Sequence, residues 1–310
     1  MPALAVSVII PAYNPDPGRL ARTLAGLRAQ TLPTSSWELV IIDNASTPPV
    51  ALPPSLHGPV ATRLVREERP GLSFARRRGF AEATAPLCVL VDDDNVLAPT
   101  YLADVVRLFA AHPDVAAMGG PSRPEFDATA PAWASEFFPL LALRDLGPAP
   151  QIAHPNKGQA TDYPACAPIG AGLALRFAAA RAWSLDRANA PLADRTGTQL
   201  TSGGDNDIVL HLFRAGGAVA YFPELALTHL IPAARLDPAY LARLNRGIQR
   251  SWVRVLALYD LFPWQPVPRW TLPLRLIRAW ARSHAWRGPA EAIRFAGLRG
   301  RLEGQADLST

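Results

Sequence analysis

Short apolar runs alternate with amphipathic stretches along the first third of the chain. Runs rich in β-branched residues and bounded by turn residues are typical of buried strands, and they lie at 6–11, 37–44, 64–65 and 87–91. Helical spacing of Leu20, Leu24 and Leu27 predicts one helix, and residues 73–85 predict a second. This alternation predicts an α/β fold with a doubly wound, mixed but mostly parallel sheet that is flanked by helices.

The later pattern is less regular but continues the same architecture to about residue 235. Strand-like segments are predicted at 115–120, 167–175, 218–221 and 225–229. Further helices are predicted over 101–111 and, Ala-rich, directly after the strand at 167–175. After a loop through 194–197, the segment 202–207 is predicted to open another helix, which carries Ile208, Leu210, Leu212 and Phe213. We therefore expect one body over 1–235, whose doubly wound first half at about 1–120 should bind a nucleotide.

The charge distribution separates this body from the C-terminal part of the chain. The net charge of +5 is concentrated in residues 235–310, which hold 13 arginines against 5 acidic residues. Aromatic and aliphatic residues are interleaved with these arginines, so residues 236–310 are predicted to form a basic helical extension. Two interpretations stay open: the helices dock on an anionic membrane surface, or they pack on the body. Nucleic-acid binding is not expected, because no recognised module accompanies the charge.

Composition narrows the class of protein. The hydrophobic fraction of 49% and the charged fraction of 18% are typical of a globular protein. The two cysteines, Cys88 and Cys166, are too few for a disulfide framework, which fits a reducing compartment. The first residues lack a basic leader, and no run of about 18 apolar residues occurs. We expect a cytoplasmic protein, either soluble or peripheral on the inner face of a membrane.

Three adjacent carboxylates, Asp92, Asp93 and Asp94, directly follow the predicted strand at 87–91. Open α/β sheets bind their ligands at the carboxyl ends of strands. Adjacent carboxylates repel one another unless a cation compensates, and Mg²⁺ or Mn²⁺ suits such oxygen ligands while leaving positions for a diphosphate. A solvated acidic turn is the alternative, but the position after a buried strand favours a metal site.

Several separated motifs together resemble family 2 glycosyltransferases, which are inverting enzymes with the GT-A fold. No single motif is decisive, but their order along the chain is that of the family. The motifs lie at 7–14, 41–46, 69–79, 91–95, 202–207 and 228–232, followed by Arg235. The resemblance spans roughly residues 5–250. It departs from the family at Arg78, where an asparagine is usual, and at Gly204, where a glutamate is usual.

The resemblance implies a donor site in the first half of the chain. Pro11, Ala12 and Tyr13 would hold the nucleotide, and Asp43 would accept a hydrogen bond from the N–H of a uracil or guanine base. Asp92 would lie near the ribose and the metal, with Asp93 beside it, and Asp94 would bind the metal directly. The metal would neutralise the diphosphate leaving group.

Basic and imidazole side chains would complete that site. Arg76 and Arg78 would contact the phosphates, although surface arginines on a helix are an equal alternative. His229 lies in the closing motif and would bind the metal or touch the diphosphate, with a structural histidine as the alternative. Mg²⁺ or Mn²⁺ is the expected cofactor.

The same resemblance implies that residues 1–235 are the catalytic domain, with an acceptor half at about 121–235. Asp205 aligns with the family's catalytic Asp and would take the proton from the attacking hydroxyl, with Asp207 as the second candidate. For both, a helix cap is the alternative role. Trp133 is an acceptor platform or a core residue, and Gly170 and Gly172 would allow close approach of the backbone to a sugar.

The expected function is transfer of a sugar from a nucleotide-diphosphate sugar, with UDP-sugar favoured, to a hydroxyl of a carbohydrate or lipid-linked acceptor. Cell-envelope polysaccharide or glycolipid assembly is the expected setting. One alternative is a catalytically degenerate scaffold subunit, which Gly204 favours and the retained aspartates oppose. Another is a sugar nucleotidyltransferase, for which the early Gly-rich basic loop is missing.

Overall fold

The computed structural model describes residues 4–52, 60–155, 163–186 and 202–309. The loop predicted at 194–197 lies outside the described residues. The chain forms two compact units. The first comprises Met1–Glu125, Ala142–Ala193 and Ile208–Leu230, and the second comprises Phe126–Leu141, Asp194–Asp207 and Ile231–Thr310. The boundary that we expect at residue 235 stays a prediction.

The elements follow the predicted alternation through the first third of the chain. The strands are β1 Val6–Ala12, β2 Trp37–Asn44, β3 Ala61–Glu67, β4 Leu87–Leu90, β5 Asn95–Leu97, β6 Val115–Gly119, β7 Ser122–Phe126, β8 Gln151–Ala153, β9 Ala174–Arg176, β10 Ala218–Tyr221 and β11 Leu227–Ile231. The helices are α1 Pro17–Arg28, α2 Leu72–Glu82, α3 Tyr101–Ala111, α4 Phe177–Asp186, α5 Gly204–Arg214, α6 Pro238–Leu258, α7 Leu272–Arg282 and α8 Pro289–Asp307. Short 3₁₀ segments lie at Thr34–Ser36, Ala132–Leu141, Ala233–Leu236 and Arg269–Thr271.

The main sheet has the strand order β3-β2-β1-β4-β9-β6-β10-β8 in the described part of the chain. β1 pairs in parallel with both β2 and β4, β2 pairs in parallel with β3, and β10 with β6. β9 runs antiparallel between β4 and β6, and β8 is antiparallel to β10. The predicted mixed, mostly parallel sheet is confirmed.

Alternating side chains of the central strands fill two separate cores in the first unit. Val6, Val8 and Ile10 of β1 join one cluster with apolar residues of α1 and α3. Ile9 joins the other cluster, which contains apolar residues of α2, α4 and α5. Because successive side chains of a strand point to opposite faces, a strand that is buried at every position, as β1 is, must be covered on both sides. The predicted helices on both faces of the sheet are thus observed.

Two strand predictions need correction. The strand expected over 167–175 is reduced to β9, because Gly172 turns the backbone with φ +71° and its carbonyl accepts a hydrogen bond from the Tyr101 hydroxyl. A methyl group at Gly172 would lie 2.6 Å from that hydroxyl oxygen, so glycine serves packing at this position. His229, expected at a strand end, lies in the middle of β11.

A smaller sheet with the order β5-β11-β7 continues from the acidic triplet. β5 begins directly after Asp94, and it pairs antiparallel with β11 so that Asn95 is opposite His229. The backbone N–H of Leu230 donates to the Asp94 carbonyl at 2.9 Å. This sheet therefore brings the closing motif to the acidic triplet, although more than 100 residues separate them.

In the second unit, α6 and α8 pack closely because glycines of α8 face α6. A methyl group at Gly300 would lie 2.1 Å from the Arg246 carbonyl oxygen, and one at Gly297 would lie 2.6 Å from the Asn245 side chain. Ion pairs of Glu303 and Asp307 with arginines of α6 join the same two helices. No helix in the described residues is long and apolar enough to cross a membrane.

A buried carboxylate, Glu38, joins the strands near their amino-terminal ends, opposite to the ends where the acidic triplet lies. Glu38 on β2 accepts from the Ser7 hydroxyl at 2.6 Å, from Thr84 N–H at 2.8 Å and from Arg63 at 2.9 Å. Burial alone would raise the pKa of Glu38, but these hydrogen bonds outweigh it and hold the pKa below its ordinary value of 4.5. The network ties β1, β2, β3 and the loop before β4 into one register.

We predict that Gly300→Ala lowers the free energy of unfolding by about 1–3 kcal/mol, because the methyl group meets backbone that is not free to move. Urea unfolding followed by circular dichroism measures the change. Gly18→Ala is the control, since its methyl group meets the Asp16 side chain at 3.3 Å. Equal stability of Gly300→Ala and wild type would contradict the close α6–α8 packing.

We predict that Glu38→Gln destabilises the protein by about 2 kcal/mol at neutral pH, because hydrogen bonds to a charged group are lost. The folded pKa lies below the unfolded value, so the carboxylate stabilises above pH 4.5 and loses this effect as the pH falls through its folded pKa. The difference between wild type and variant in urea unfolding should shrink at acid pH. The exposed Glu68→Gln is the control, and a difference independent of pH would contradict the prediction.

Candidate active site

The acidic triplet forms a turn at the carboxyl end of β4, as the sequence predicts. Asp92 and Asp93 are partly exposed, whereas Asp94 is 4% exposed. Asn95, which is fully buried, holds the turn from both sides. Its side-chain nitrogen donates to Asp94 Oδ1 at 3.2 Å, and its side-chain oxygen accepts from the Asp92 N–H at 3.3 Å. The Asp94 carboxylate is therefore fixed in orientation by its own neighbour.

His229 lies against the same carboxylate. Its Nε2 is 3.4 Å from Asp94 Oδ1, and both side chains are almost fully buried. Pairing of β11 with β5 produces this contact, because residue 229 is opposite residue 95 in the register. The family resemblance predicts that His229 binds the metal or touches the diphosphate. In the structure, His229 is next to Asp94, the aspartate that is expected to bind the metal.

This pair can be tested for its fit to a divalent ion. No cluster of three or more histidine, cysteine or acidic side chains with metal-site geometry occurs in the described ranges. Mg²⁺ in particular binds through one or two carboxylates and takes its remaining ligands from substrate phosphates and water. Asp94 supplies the carboxylate oxygen and His229 a nitrogen beside it, so the donor set fits an ion that is completed by a diphosphate.

A second carboxylate lies at the ends of β1, β2 and β3, where Ala12, Asp43 and Arg66 are adjacent in register. Asp43 accepts from Arg66 Nη1 at 2.6 Å, from Ser46 N–H at 3.0 Å and from Val50 N–H at 3.2 Å. Burial raises its pKa, but these donors outweigh burial and hold the pKa of Asp43 below its ordinary range. Asp43 is an ionised carboxylate that fixes the loop after β2.

The loops at this edge are joined to one another by side chains that mimic backbone. Asn44 accepts from the Gly71 N–H at 2.8 Å and donates to the Arg69 carbonyl at 2.7 Å. Asn14 accepts from Thr47 N–H at 2.8 Å, and its own N–H donates to Ser46 at 2.9 Å. Loops that follow three different strands thus share one network, which restricts the conformations of these loops relative to one another.

The remaining residues expected in the donor site differ in exposure. Pro11 and Ala12 are buried at the end of β1, whereas the Tyr13 side chain is 48% exposed. An aromatic ring at the end of the central strand is suited to stacking on a base. Of these three residues, Tyr13 thus has the side chain that is exposed enough to stack on a bound base.

The arginines of α2 fall into two kinds. Arg76 is 3% exposed, so the surface-arginine alternative does not hold for it. Arg78 is half-exposed and pairs with Glu82 at 2.8 Å along the helix surface, which is what that alternative expects. Arg76 is therefore the better candidate for a phosphate contact.

The two candidate base residues lie in the first turn of α5 and differ in their surroundings. Asp205 is partly exposed and accepts from the adjacent Asn206 N–H at 3.0 Å. Asp207 is 1% exposed, and the Tyr259 hydroxyl lies 2.6 Å from its Oδ1. A base must reach a substrate hydroxyl, so exposure favours Asp205, while Asp207 is tied to α6 through Tyr259.

Several residues in these networks are missed by sequence reasoning. Arg66 and Asn95 occur within or beside recognised motifs, but their partners emerge only from strand register. Tyr259 lies 52 residues from Asp207 and no local pattern indicates the contact. Trp133, considered as an acceptor platform or a core residue, is partly exposed and packs against Phe137 at 6.4 Å between ring centroids.

The fold is similar to those of solved glycosyltransferases. S. aureus TarS 1-349 in complex with UDP matches with a TM-score of 0.52 and 12% identity, over 99% of this chain and 91% of that chain. The mannosyltransferase PcManGT from Pyrobaculum calidifontis, in complex with GDP-Man and Mn2+, matches with a TM-score of 0.57 and 19% identity, over 97% and 86%. At these identities the likeness shows the fold, which is GT-A.

Curated relatives match in part. The validoxylamine A glucosyltransferase of Streptomyces hygroscopicus subsp. limoneus is 30% identical over 154 residues, or 47% of this chain and 33% of the relative. The glucosyl-dolichyl phosphate glucuronosyltransferase of Haloferax volcanii is 32% identical over 73 residues, 24% of this chain and 22% of the relative. An uncharacterised protein of Sinorhizobium fredii, y4gI, is 34% identical over 113 residues, 35% of this chain and 12% of the relative. The chain thus spans a third or less of the length of these relatives.

A family model extends over most of the first unit. The model of Glycosyl transferase family 2 matches residues 7–182, which is more than half of the 310-residue chain. The matched range includes the ends of β1, β2 and β4 and the acidic triplet, while the motifs at 202–207 and 228–232 lie beyond it. The chain belongs to glycosyl transferase family 2.

Proposed function

We propose that this glycosyltransferase moves a sugar from a UDP-sugar to an acceptor hydroxyl, with inversion at the anomeric carbon and with Mg²⁺ or Mn²⁺ as cofactor. The observation that carries the proposal is the buried Asp94–His229 pair, fixed by Asn95 at the sheet edge that also carries Asp43. Solved neighbours support the donor class, since TarS is found with UDP and UDP-GlcNAc and PcManGT with GDP-Man and Mn2+.

In this proposal the donor nucleotide occupies the loops after β1, β2 and β4. Tyr13 stacks on the base, while Pro11 and Ala12 form the floor of the base pocket. Asp43 already has three protein donors, so its main role is to hold the loop at 44–50 in place, with the base N–H as a further donor. Asp92 and Asp93 face the ribose, and Arg76 contacts the phosphates.

Asp94 and His229 hold the cation in this proposal. A divalent ion at this position would neutralise the diphosphate as it leaves. Asn95 keeps the Asp94 carboxylate aimed in one direction, so that no reorganisation of this side chain is required when the donor binds. The diphosphate would therefore interact with this part of the site most directly, through the cation.

The transfer step itself needs a base. The acceptor oxygen forms a bond to the anomeric carbon, the bond from that carbon to the diphosphate oxygen breaks, and the hydroxyl proton passes to the Asp205 carboxylate. The bonding electrons leave with the nucleoside diphosphate. Asp207 positions the base in this proposal. Its contact with Tyr259 fixes the first turn of α5, on which Asp205 lies.

The proposal extends to the class of acceptor. We place it among carbohydrates or lipid-linked sugars of cell-envelope polysaccharide or glycolipid assembly, at the cytoplasmic face of a membrane. The basic extension is the sequence feature that supports this setting. Gly204 supports a different candidate, a scaffold subunit that binds nucleotide sugar without transfer.

Calorimetric titration of UDP and GDP, with and without Mn²⁺, tests the donor site. We expect metal-dependent binding of UDP, its loss in Asp94→Ala, and a loss of about 10–100-fold in Asn95→Ala, because side chains that orient a metal ligand have effects of this size. Asp114→Asn changes an exposed acid just before β6, at the opposite end of the strands from the acidic triplet, and should bind as wild type does.

Binding of UDP that is unaffected by the metal and by Asp94→Ala would contradict the assignment of the metal site. Metal-dependent binding of GDP in place of UDP would retain that assignment and contradict the proposed donor base.

Steady-state release of nucleoside diphosphate in the presence of a soluble sugar acceptor tests the base. We expect Asp205→Asn to lower kcat by about 100-fold or more while nucleotide binding is unchanged, since general base catalysis contributes at this level. Asp207→Asn and Tyr259→Phe should resemble each other, with a smaller loss of kcat and a lower melting temperature. Full activity of Asp205→Asn would remove it as the base, and wild type that binds nucleotide without any turnover would favour the scaffold candidate.

A further inference from the structure

The outward side of α7 and its flanking turns is apolar. Trp270 is 84% exposed, Leu274 is 54%, Ile277 is 64% and Trp280 is 45%. Trp286, just beyond the helix, is 56% exposed, and its ring lies 4.7 Å from that of Trp280. The surfaces of soluble proteins rarely present so many large apolar side chains together, and such a patch indicates an interaction site.

Two of these side chains, Leu274 and Ile277, lie on the same side of α7 because they are three residues apart. Trp270 lies in the 3₁₀ turn before the helix, and Trp280, three residues after Ile277, lies at the border of this outward stripe. The opposite side carries Leu272, Leu276 and Ala279, which are partly buried, and α7 contacts α8. α7 is therefore apolar on two sides, and its packing within the second unit uses only one of them.

Arginines flank the outward stripe, and the segment that carries it contains no acidic residue. Residues 261–290 contain no aspartate or glutamate, but they contain Arg269, Arg275, Arg278, Arg282 and Arg287. None of these five forms an ion pair with a described residue. By contrast, ion pairs with Glu136, Glu303 and Asp307 occupy arginines of α6 and α8, namely Arg246, Arg250, Arg254, Arg294 and Arg299. Positive charge that is not neutralised is thus concentrated at the apolar face.

We propose that α7 with its flanking turns, residues 269–287, is a docking surface for an anionic phospholipid bilayer, on which the helix lies parallel to the membrane plane. Apolar side chains and tryptophans would enter the boundary between headgroups and acyl chains, while the arginines contact lipid phosphates. The proposal narrows the membrane alternative for residues 236–310 to α7, because α6 and α8 pack on each other. The proposal goes beyond sugar transfer and does not depend on it.

A bilayer fits this surface better than a protein partner does. A partner protein would have to supply a matched apolar groove, whereas a bilayer accepts a row of tryptophans and aliphatic side chains of unequal length. The surplus of arginine demands an anionic surface, which a membrane rich in acidic lipids provides over its whole area. A second copy of this chain would bring like charges together at the same face.

The experiment is co-sedimentation of the full chain with vesicles of phosphatidylcholine alone and of an equal mixture of phosphatidylcholine and phosphatidylglycerol. We expect binding to the anionic vesicles, little binding to the neutral ones, and weakening by salt. Arg275→Gln with Arg278→Gln should reduce the partition coefficient by about 25-fold, or about fivefold for each arginine near the surface. Leu274→Ser with Ile277→Ser should reduce it strongly as well.

Matched controls separate this surface from general stickiness. Arg243→Gln changes an exposed arginine of α6, and Leu298→Ser changes an exposed leucine of α8, so both should bind as wild type does. Melting curves by circular dichroism establish that all variants are folded. Titration of UDP on the same variants should be unchanged, which distinguishes failure of this proposal from failure of the donor site.

Three outcomes would overturn the proposal. The first is no sedimentation of wild type with anionic vesicles, and the second is equal binding to neutral and anionic vesicles. The third is a dimer in analytical ultracentrifugation that Leu274→Ser with Ile277→Ser dissociates, because the face would then be an interface between copies of this chain. A blue shift of tryptophan fluorescence on anionic vesicles, lost in the α7 variants but not in the controls, would support it.

Discussion

Parallel pairing of β1 with both β2 and β4 is the constraint on which the donor site depends. Parallel strands end at the same edge of a sheet, so Ala12, Asp43 and the acidic triplet meet there although about 80 residues separate the first from the last along the chain. The strands are buried on both faces, and the polar Ser7 and Glu38 within β1 and β2 satisfy one another by a hydrogen bond. Burial of these strands by helices on both sides therefore determines where the carboxylates lie.

Two carboxylates at this edge are compensated in different ways. Asp43 is saturated by Arg66 and two backbone N–H groups, so its charge is neutralised within the protein. Asp94 contacts the amide of Asn95 and the ring of His229, and both contacts orient its carboxylate. In the proposed site, Asp94 is the carboxylate that would hold the cation, whereas Asp43 shapes the loop around the base.

Local sequence predicts the elements that local forces specify. Strands β1, β2 and β4, helices α1 and α3, and the acidic turn follow from apolar spacing and turn residues. Other features depend on contacts between distant segments: the antiparallel insertion of β9, the pairing of Arg66 with Asp43, and the contact of Tyr259 with Asp207. The sequence also does not predict which face of α7 is exposed, because apolar residues occur on two of its sides and either side could pack.

The position of β3 at the border of the sheet has a consequence for ligand linkage. Arg66 belongs to this border strand, which is partly exposed and pairs on one side only within the described part of the sheet. Fraying of β3 would remove the cation from Asp43 and leave a buried charge without its strongest partner. In the proposed donor site, a nucleotide that stabilises the loop after β2 would therefore also suppress opening of β3, so nucleotide binding and the pairing of β3 with β2 would form one coupled equilibrium.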